Sequence, residues 1–300
     1  MRDGAIRTKP RALLEEQGPK SMAPLLPHLR HGRFTFKPEW GHPSDGVKLE
    51  LLLLIQTPSV ESLHLNGFVQ LTQIRLDFLS GLKTLIMEQC VCEARVVGCI
   101  LRASVRLENF SYVHGHDKAT TSKFDPQLMM EGLLCLTGSL RQLRLTGGSP
   151  LAIESNSARN SRLGSLVDFT VLTHLVLPAE FLVGTATGTG QWDLELWKLV
   201  PRCLEYLLIG RLENEVMLAF AQQEVLELVK RKSIVAPKLN RIILQNISPV
   251  DADGGALMLL KEASRANQVW LSIYYGKQSD DDAIWLSLDF GALGIHKNYD

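Results

Sequence analysis

One ten-residue stretch, residues 203–212, constrains the fold of this chain more than any other feature. Its sequence, CLEYLLIGRL, places apolar residues in the pattern L-x-x-L-x-L/I-x-x-L. Leu207 and Ile209 are two residues apart in that pattern, so they lie on one face of a β-strand. The same skeleton recurs upstream at Leu172 and downstream at Leu239. A strand with one apolar face needs neighbours, and a repeated strand supplies them.

The spacing of the repeat predicts the architecture. The first apolar residue of each copy falls at Val60, Leu82, Leu107, Leu140, Leu172, Leu204 and Leu239. The shortest interval is 22 residues, from 60 to 82, and the longest is 35, from 204 to 239. Leucine-rich repeats combine this pattern with a helical return over ~20–29 residues, and the longer intervals leave room for full helices. We therefore predict an α/β fold, a right-handed curved βα solenoid with a parallel sheet on its concave face and helices on its convex face.

The connecting segments between strands carry helical patterns. Helices are predicted over residues 47–56, 126–137, 213–232 and 252–267. The third is the clearest, because Leu218, Ala221 and Val225 begin an apolar stripe at helical spacing and basic residues gather at its C-terminal end. Each predicted helix lies between one strand and the next, as a solenoid requires.

The repeat divides the chain into three predicted parts. Residues 1–24 mix proline, glycine and charge, which predicts a flexible lead-in. Residues 25–278 form the solenoid, which begins with a degenerate strand before residue 35 and ends with a strand at 269–273. Residues 279–300 form an acidic and apolar tail. Its run 283–290 is apolar enough to fold back over the sheet or to add a capping strand.

Composition excludes several functional classes. The 32 Lys and Arg residues equal the 32 Asp and Glu residues, so no overall basic field would hold nucleic acid or an anionic membrane. The N-terminus is charged, and the longest apolar run, residues 51–55, is too short for a signal peptide or a membrane span. The five cysteines are an odd number spread over several repeats, which indicates free thiols and an intracellular protein, cytoplasmic or nuclear.

No local motif predicts catalysis or a cofactor. Cys90 and Cys92 form C-x-C, but Cys90 occupies a place where such repeats bury a cysteine against the loop. The His-Gly-His-Asp loop at 114–117 lacks a second pair of ligands at metal spacing. The acidic run 251–254 lacks the last ligand of a calcium loop, and the glycine-rich run 184–190 lacks the Gly-Lys-Ser/Thr of a phosphate loop. We therefore expect no enzyme activity, metal, cofactor or small-molecule substrate.

Three phrases carry a resemblance to a protein family. They are Leu-Thr-His-Leu-Val-Leu-Pro at 172–178, Cys-Leu-Glu-Tyr-Leu-Leu-Ile at 203–209 and Pro-Lys-Leu-Asn-Arg-Ile-Ile-Leu at 237–244. Over residues 25–290 the chain resembles the leucine-rich-repeat region of fungal F-box-like proteins. In that family an N-terminal F-box docks on the adaptor of a cullin-RING ubiquitin ligase, while the repeats hold the substrate. The resemblance implies a substrate receptor. Residues 1–24 lack a recognisable F-box, so a truncated, non-functional paralogue is an alternative.

One further departure from the usual repeat concerns the turn after each strand. Other leucine-rich repeats place an asparagine three residues after the third anchor. Here that place is mostly held by other residue types: Phe68, Cys90, Gly115, Gly148, Leu212 and Ile247.

The strand frame also predicts a binding surface. Residues that alternate with the core-facing ones point to the concave face, and along the chain they change from polar to apolar. The predicted protein-binding residues are an apolar column with flanking Tyr, Trp and Arg: Val176, Tyr206, Leu208, Arg241, Ile243, Trp270 and Tyr274. This composition is typical of an interaction hot spot, so we expect another protein to bind the concave face.

An enzyme regulator is the alternative function from a different class. Some GTPase-activating proteins are also leucine-rich-repeat arcs, and they would show regular repeats and a strongly acidic C-terminal tract. The repeats here are irregular and the acidic run, residues 279–282, is only four residues long. Both features favour the interaction module.

Overall fold

The structure, a computed structural model of the 300-residue chain, describes residues 29–35, 59–67, 77–90, 92, 94–115, 126–147, 162–183, 195–212, 215–247 and 255–275. Within these residues one nine-stranded sheet is formed, and its spatial order equals the chain order. The strands are β1 His31–Thr35, β2 Ser62–Asn66, β3 Thr84–Cys90, β4 Asn109–His114, β5 Gln142–Gly147, β6 His174–Pro178, β7 Tyr206–Gly210, β8 Arg241–Ile247 and β9 Trp270–Tyr275. All neighbouring pairs are parallel. The predicted α/β solenoid is therefore confirmed.

Helices occupy the connections between strands. They are α1 Ala94–Ala103, α2 Pro126–Leu133, α3 Ala179–Val183, α4 Glu215–Lys230, α5 Lys232–Val235 and α6 Gly255–Ala266, and 3-10 turns cover Asp77–Gly81, Leu134–Leu136 and Leu196–Lys198. Three predicted helices are confirmed with shorter α-helical bounds. The fourth, over 47–56, lies outside the described residues. Sequence reasoning missed α1, although its buried Ala94, Val97 and Leu101 have helical spacing.

The core lies between the sheet and the helices. The core-facing strand residues are buried in every repeat from β2 to β8: Leu63, Leu65, Leu85, Met87, Phe110, Tyr112, Leu143, Leu145, Leu175, Leu177, Leu207, Ile209, Ile242 and Leu244. The predicted first anchors, from Val60 to Leu239, are buried beside them. Each repeat thus supplies three anchors to one continuous apolar cluster, as the sequence predicted.

Successive repeats are joined by a recurring backbone contact just before each strand. The Glu61 carbonyl accepts hydrogen bonds from the amides of Lys83 (2.8 Å) and Thr84 (3.0 Å). The Thr173 carbonyl accepts equivalent bonds from Glu205 and Tyr206. The same paired acceptance is made by the carbonyls of Arg30, Lys83, Glu108, Arg141 and Glu205. This contact fixes the register of each repeat on the one before it.

The turn after the strand adopts a left-handed backbone at one repeated position. The residues there, two beyond the third anchor, are Gly67 (φ 77°), Gln89 (φ 51°), Arg211 (φ 60°) and Asn246 (φ 63°). The residue that follows this left-handed position is buried in three of the turns, where it is Cys90, Leu212 or Ile247. These apolar residues therefore fill the place that asparagine holds in other repeats.

Helices α1 and α2 meet at two glycines. A Cβ atom built on Gly98 would lie 2.6 Å from the Leu128 carbonyl oxygen, and one built on Gly132 would lie 2.7 Å from the Gly98 Cα. Side-chain carbons do not approach backbone atoms this closely, so only glycine allows the observed helix spacing. The contact is a packing requirement, since neither glycine has a positive φ.

The anchor assignment can be tested at Leu207, which is fully buried in β7. Leu207→Asp places an unpaired charge in the core and should lower the free energy of unfolding by at least ~4 kcal/mol. Urea unfolding followed by circular dichroism measures the change. The control is Leu259→Asp, at an exposed residue of α6, which should change stability little. An unchanged unfolding midpoint for Leu207→Asp would contradict the fold.

The glycine contact gives a second prediction. Gly132→Ala pushes α1 and α2 apart and should destabilise the protein by about 1–3 kcal/mol, because backbone atoms cannot move aside as a flexible side chain can. Gly138→Ala is the matched control, since no heavy atom lies within 4 Å of the place that its added Cβ would occupy. Equal thermal unfolding of the two variants would show that the helices tolerate a wider spacing.

Candidate protein-binding face

The parallel register aligns the concave side chains in columns across the sheet. The first column, at the N-terminal ends of the strands, contains Ser62, Thr84, Asn109, Gln142, His174, Tyr206, Arg241 and Trp270. The middle column contains His64, Ile86, Ser111, Arg144, Val176, Leu208, Ile243 and Ser272. The strand frame read from the sequence therefore identified the correct residues for this face.

Aromatic and cationic groups contact one another along the C-terminal half of the first column. The His174 imidazole stacks on the Tyr206 ring with centroids 5.6 Å apart and planes at 24°. The Arg241 guanidinium lies 5.7 Å from the centroid of the same ring, and Trp270 is its register partner on β9. Burial lowers the pKa of His174 against the opposing charge of Glu205, so this imidazole is neutral near pH 7. Among His174, Tyr206 and Arg241, the charge is therefore on Arg241.

The apolar part of the middle column is buried. Val176, Leu208 and Ile243 form, with Tyr206, a second apolar cluster separate from the main core, and each is only 1–5% exposed. Four of the seven predicted binding residues are therefore buried and offer no open surface to a partner, although their face was assigned correctly. Alternation along a strand determines which face a side chain takes, and it carries no information on what covers that face.

The remaining predicted residues lie at the surface near the C-terminal end of the sheet. Trp270 is 71% exposed, Tyr274 is exposed, and Arg241 is partly exposed. The Trp270 Nε1 group donates a hydrogen bond to the Ser272 hydroxyl at 3.1 Å, which orients the indole along the strand. Tyr275, which sequence reasoning did not select, is also exposed. The exposed aromatic residues are thus spread along β9, with Arg241 on the neighbouring strand beside Trp270.

The N-terminal half of the face is polar and contains a short hydrogen bond between a histidine and a glutamate. His64 Nε2 lies 2.7 Å from Glu88 Oε2, and both side chains are largely shielded from solvent. Burial alone would raise the pKa of Glu88, but the His64 hydrogen bond and the charges of His64, Arg144 and Arg33 together lower it. Glu88 is therefore ionised near neutral pH. The Glu88 carboxylate thus adds a negative charge to the polar half of the face.

Three of the five cysteines, Cys90, Cys92 and Cys203, have packing roles. Cys90 and Cys92 are both buried and free, and the Cys90 thiol lies 3.3 Å from the Glu88 carbonyl and 3.6 Å from that of Leu65. Burial raises the pKa of Cys92 far above its usual range, so neither a thiolate nor a metal ligand is favoured there. Cys203 likewise donates to the carbonyls of the preceding repeat.

Other motifs singled out in the sequence add no chemistry that the structure describes. Nowhere in the described ranges do three His, Cys, Asp or Glu side chains gather as a metal site would require. His114 contacts the Tyr112 hydroxyl through Nδ1 at 2.9 Å. The other residues of its motif, 116–117, lie outside the described residues, and so do the motifs at 184–190, 251–254 and 279–300. The helices that the structure describes include none with the length and apolarity of a membrane span.

Comparison with known proteins supports the repeat architecture. A family model described as a leucine-rich repeat domain matches residues 15–258, which include β1 to β8. No curated protein and no solved structure matches the chain. The match supports the repeat part of the resemblance and does not concern an F-box. Because it covers most of the 300 residues and agrees with the nine-stranded parallel sheet, the chain belongs to the leucine-rich repeat domain family.

Proposed function

We propose that this protein is a protein–protein interaction module whose partner binds the concave face at its C-terminal end. Arg241, Trp270 and Tyr274 make the direct contacts. Val176, Tyr206, Leu208 and Ile243 form the buried layer that supports them. Membership of a family whose members generally bind other proteins supports this proposal, and the exposed indole of Trp270 is the single observation that carries it.

An exposed tryptophan on a strand gains free energy when a partner buries it. Trp270 is 71% exposed although it belongs to a strand of the main sheet. Burying an indole of ~150–250 Å² against a partner contributes on the order of 2–4 kcal/mol. Trp, Tyr and Arg are also the residues most enriched at interaction hot spots. Strands β8 and β9 carry all three residue types on this face: Arg241, Trp270 and Tyr274.

The contact residues are held in place before a partner arrives. Arg241 lies over the Tyr206 ring, and Tyr206 stacks on His174. Because these side chains are already ordered, binding loses less conformational entropy than it would with free side chains. The buried Val176, Leu208 and Ile243 below them add rigidity. A preorganised surface of this kind favours specific binding over non-specific binding.

The chemistry of the surface indicates what the partner carries. Arg241 pairs best with a carboxylate, and the aromatic rings of Trp270 and Tyr274 accept an apolar side chain. The partner is therefore a polypeptide with an acidic residue next to an aliphatic or aromatic one. The hydrogen-bonded His64 and Glu88 lie on β2 and β3, so the Glu88 carboxylate is several strands away from the contact region on β8 and β9.

We infer further that the bound partner is a substrate for ubiquitination. The support for this finer role is the resemblance of residues 172–178, 203–209 and 237–244 to the repeats of F-box-like proteins. In those proteins the repeats hold the substrate while another module docks on the ligase. The present chain would perform the substrate-holding part of that task.

The contact residues can be tested with a Trp270→Ala/Tyr274→Ala variant. A photo-reactive amino acid placed at position 270 first captures the partner covalently, so that it can be identified and purified. Removal of the two rings should then weaken the partner's Kd at least ~30-fold, which corresponds to the ~2 kcal/mol of a hot-spot residue. Isothermal titration calorimetry measures the change.

The matched control is Met258→Ala/Leu259→Ala, which removes two exposed apolar side chains from α6 on the other side of the solenoid. It should leave the Kd unchanged. Thermal unfolding of both variants confirms that each remains folded. Equal affinity of the two variants for the partner would show that the binding face was chosen wrongly.

The ubiquitination role makes a separate prediction about the captured partner. In cells that carry Trp270→Ala/Tyr274→Ala in place of the natural protein, the partner's half-life should lengthen several-fold. In cells that carry the natural protein, a proteasome inhibitor should lengthen the partner's half-life by the same factor. Pulse-chase labelling measures both. If binding is lost while the half-life stays the same, the ligase role is wrong and the interaction module stands.

A further inference from the structure

The C-terminal end of the sheet is incompletely closed in the described residues. Strand β9 pairs with β8 on one side, and no described strand pairs with its outer edge. Its core-facing Leu271 and Ile273 are partly exposed, whereas their register partners on β8, Ile242 and Leu244, are fully buried. The apolar core therefore reaches the end of the solenoid without a described layer to cover it.

The outer edge of β9 also lacks the usual protection of an edge strand. Its sequence, WLSIYY, contains no charge and no proline. The opposite edge of the sheet, β1, exposes His31 and Arg33. Charged residues discourage a further strand from pairing with an edge, whereas an uncharged apolar edge invites one. Strand β9 is thus suited to accept another strand, and β1 is not.

The chain carries a second copy of the β9 sequence shortly after it. Trp270-Leu271-Ser272-Ile273 is followed fifteen residues later by Trp285-Leu286-Ser287-Leu288. Three of these four positions are identical, and the fourth exchanges isoleucine for leucine. The second copy has the same period-two alternation, which places Leu286 and Leu288 on one face of a strand.

The length of the connection determines the direction of pairing. Nine residues, 276–284, separate Tyr275 from Trp285. A parallel crossover needs a dozen or more residues, whereas an antiparallel hairpin needs fewer. The connection begins with Gly276 and continues through a polar run to Asp282, a composition that suits a hairpin loop.

We propose that residues 285–290 pair antiparallel with the outer edge of β9 as the terminal strand of the sheet. With Ser287 opposite Ser272, Leu288 falls opposite Leu271 and Leu286 opposite Ile273, so both leucines extend the core-facing layer. The strand thereby covers the end of the core. It also brings Trp285 opposite Tyr274, on the concave side.

This proposal is separate from the binding function. The terminal strand uses the backbone edge of β9 and the core-facing leucines, whereas the partner is expected to use the concave side chains of Trp270 and Tyr274. Either proposal can fail while the other stands, because they are read out by different measurements.

The pairing is tested in the full chain by a Ser272→Cys/Ser287→Cys variant. Opposite residues of an antiparallel pair have Cα atoms about 4.5–5.5 Å apart, which is within the range of a disulfide. Mild oxidation should therefore join the two positions within one chain. A non-reducing gel shows the faster-migrating monomer, and mass spectrometry of the linked peptides distinguishes this bond from any that involves the five native cysteines.

Two controls accompany the cross-link. The first is Ser272→Cys/Ser279→Cys, whose second position lies in the connection and should cross-link at least tenfold less. The second does not depend on a disulfide: Leu286→Asp/Leu288→Asp should speed amide hydrogen exchange in β9 at least tenfold, while Leu293→Asp, a leucine beyond the strand, should not.

The outcomes separate the occupants of this edge. A cross-linked band of twice the mass would mean that β9 pairs with a second copy of the chain, and it would overturn the proposal. Cross-linking no better than the control, with unchanged exchange in β9, would overturn it as well. If the cysteine variant does not fold, the exchange comparison decides alone.

Discussion

The fold depends on the backbone contact that joins each repeat to the one before it. A single carbonyl, such as that of Glu61 or Thr173, accepts two amide hydrogen bonds from the next repeat just before its strand begins. In an isolated repeat these carbonyl and amide groups, and the other backbone groups of the strand, would have no hydrogen-bond partners in a neighbouring repeat. The anchors Leu204, Leu207 and Ile209 are likewise buried only because neighbours lie on both sides. Stability is therefore shared along the array, as in a one-dimensional chain of coupled units.

Most of this architecture could be predicted because the spacing of the anchors along the sequence determines where each strand begins and which face of it is buried. Leu204 and Leu207 are three residues apart and Leu207 and Ile209 two apart, so the start of the strand and its buried face follow from local geometry. Cys90 could be assigned to packing for the same reason, since its place in the repeat is a buried one. Helix α4 was predictable from its apolar stripe. Its C-terminal bound lies two residues before the predicted one, because helix termini depend on local capping rather than on periodicity.

The candidate binding face could be predicted only in part. Arg241, Trp270 and Tyr274 lie at the surface, yet Val176, Leu208 and Ile243 are buried on the same face. Coverage of a face depends on segments distant in sequence, and no local pattern encodes it. Tyr275 was missed because alternation along β9 groups it with the core-facing Leu271 and Ile273, and no local pattern shows that this position is exposed. The stacking of His174 on Tyr206 required the spacing between two strands, which the sequence does not contain.

The contact between Gly98 and Gly132 has a consequence for the shape of the arc. Parallel strands lie about 4.8 Å apart while packed helices usually lie 8–10 Å apart, and this mismatch is what bends a βα solenoid. The two glycines let α1 and α2 lie closer together than packed helices usually do, which reduces the mismatch locally. We therefore expect the sheet to be flatter at β3 to β5 than at β7 to β9. A partner would then meet a flatter polar surface at β3 to β5 and a more curved, aromatic one at β7 to β9.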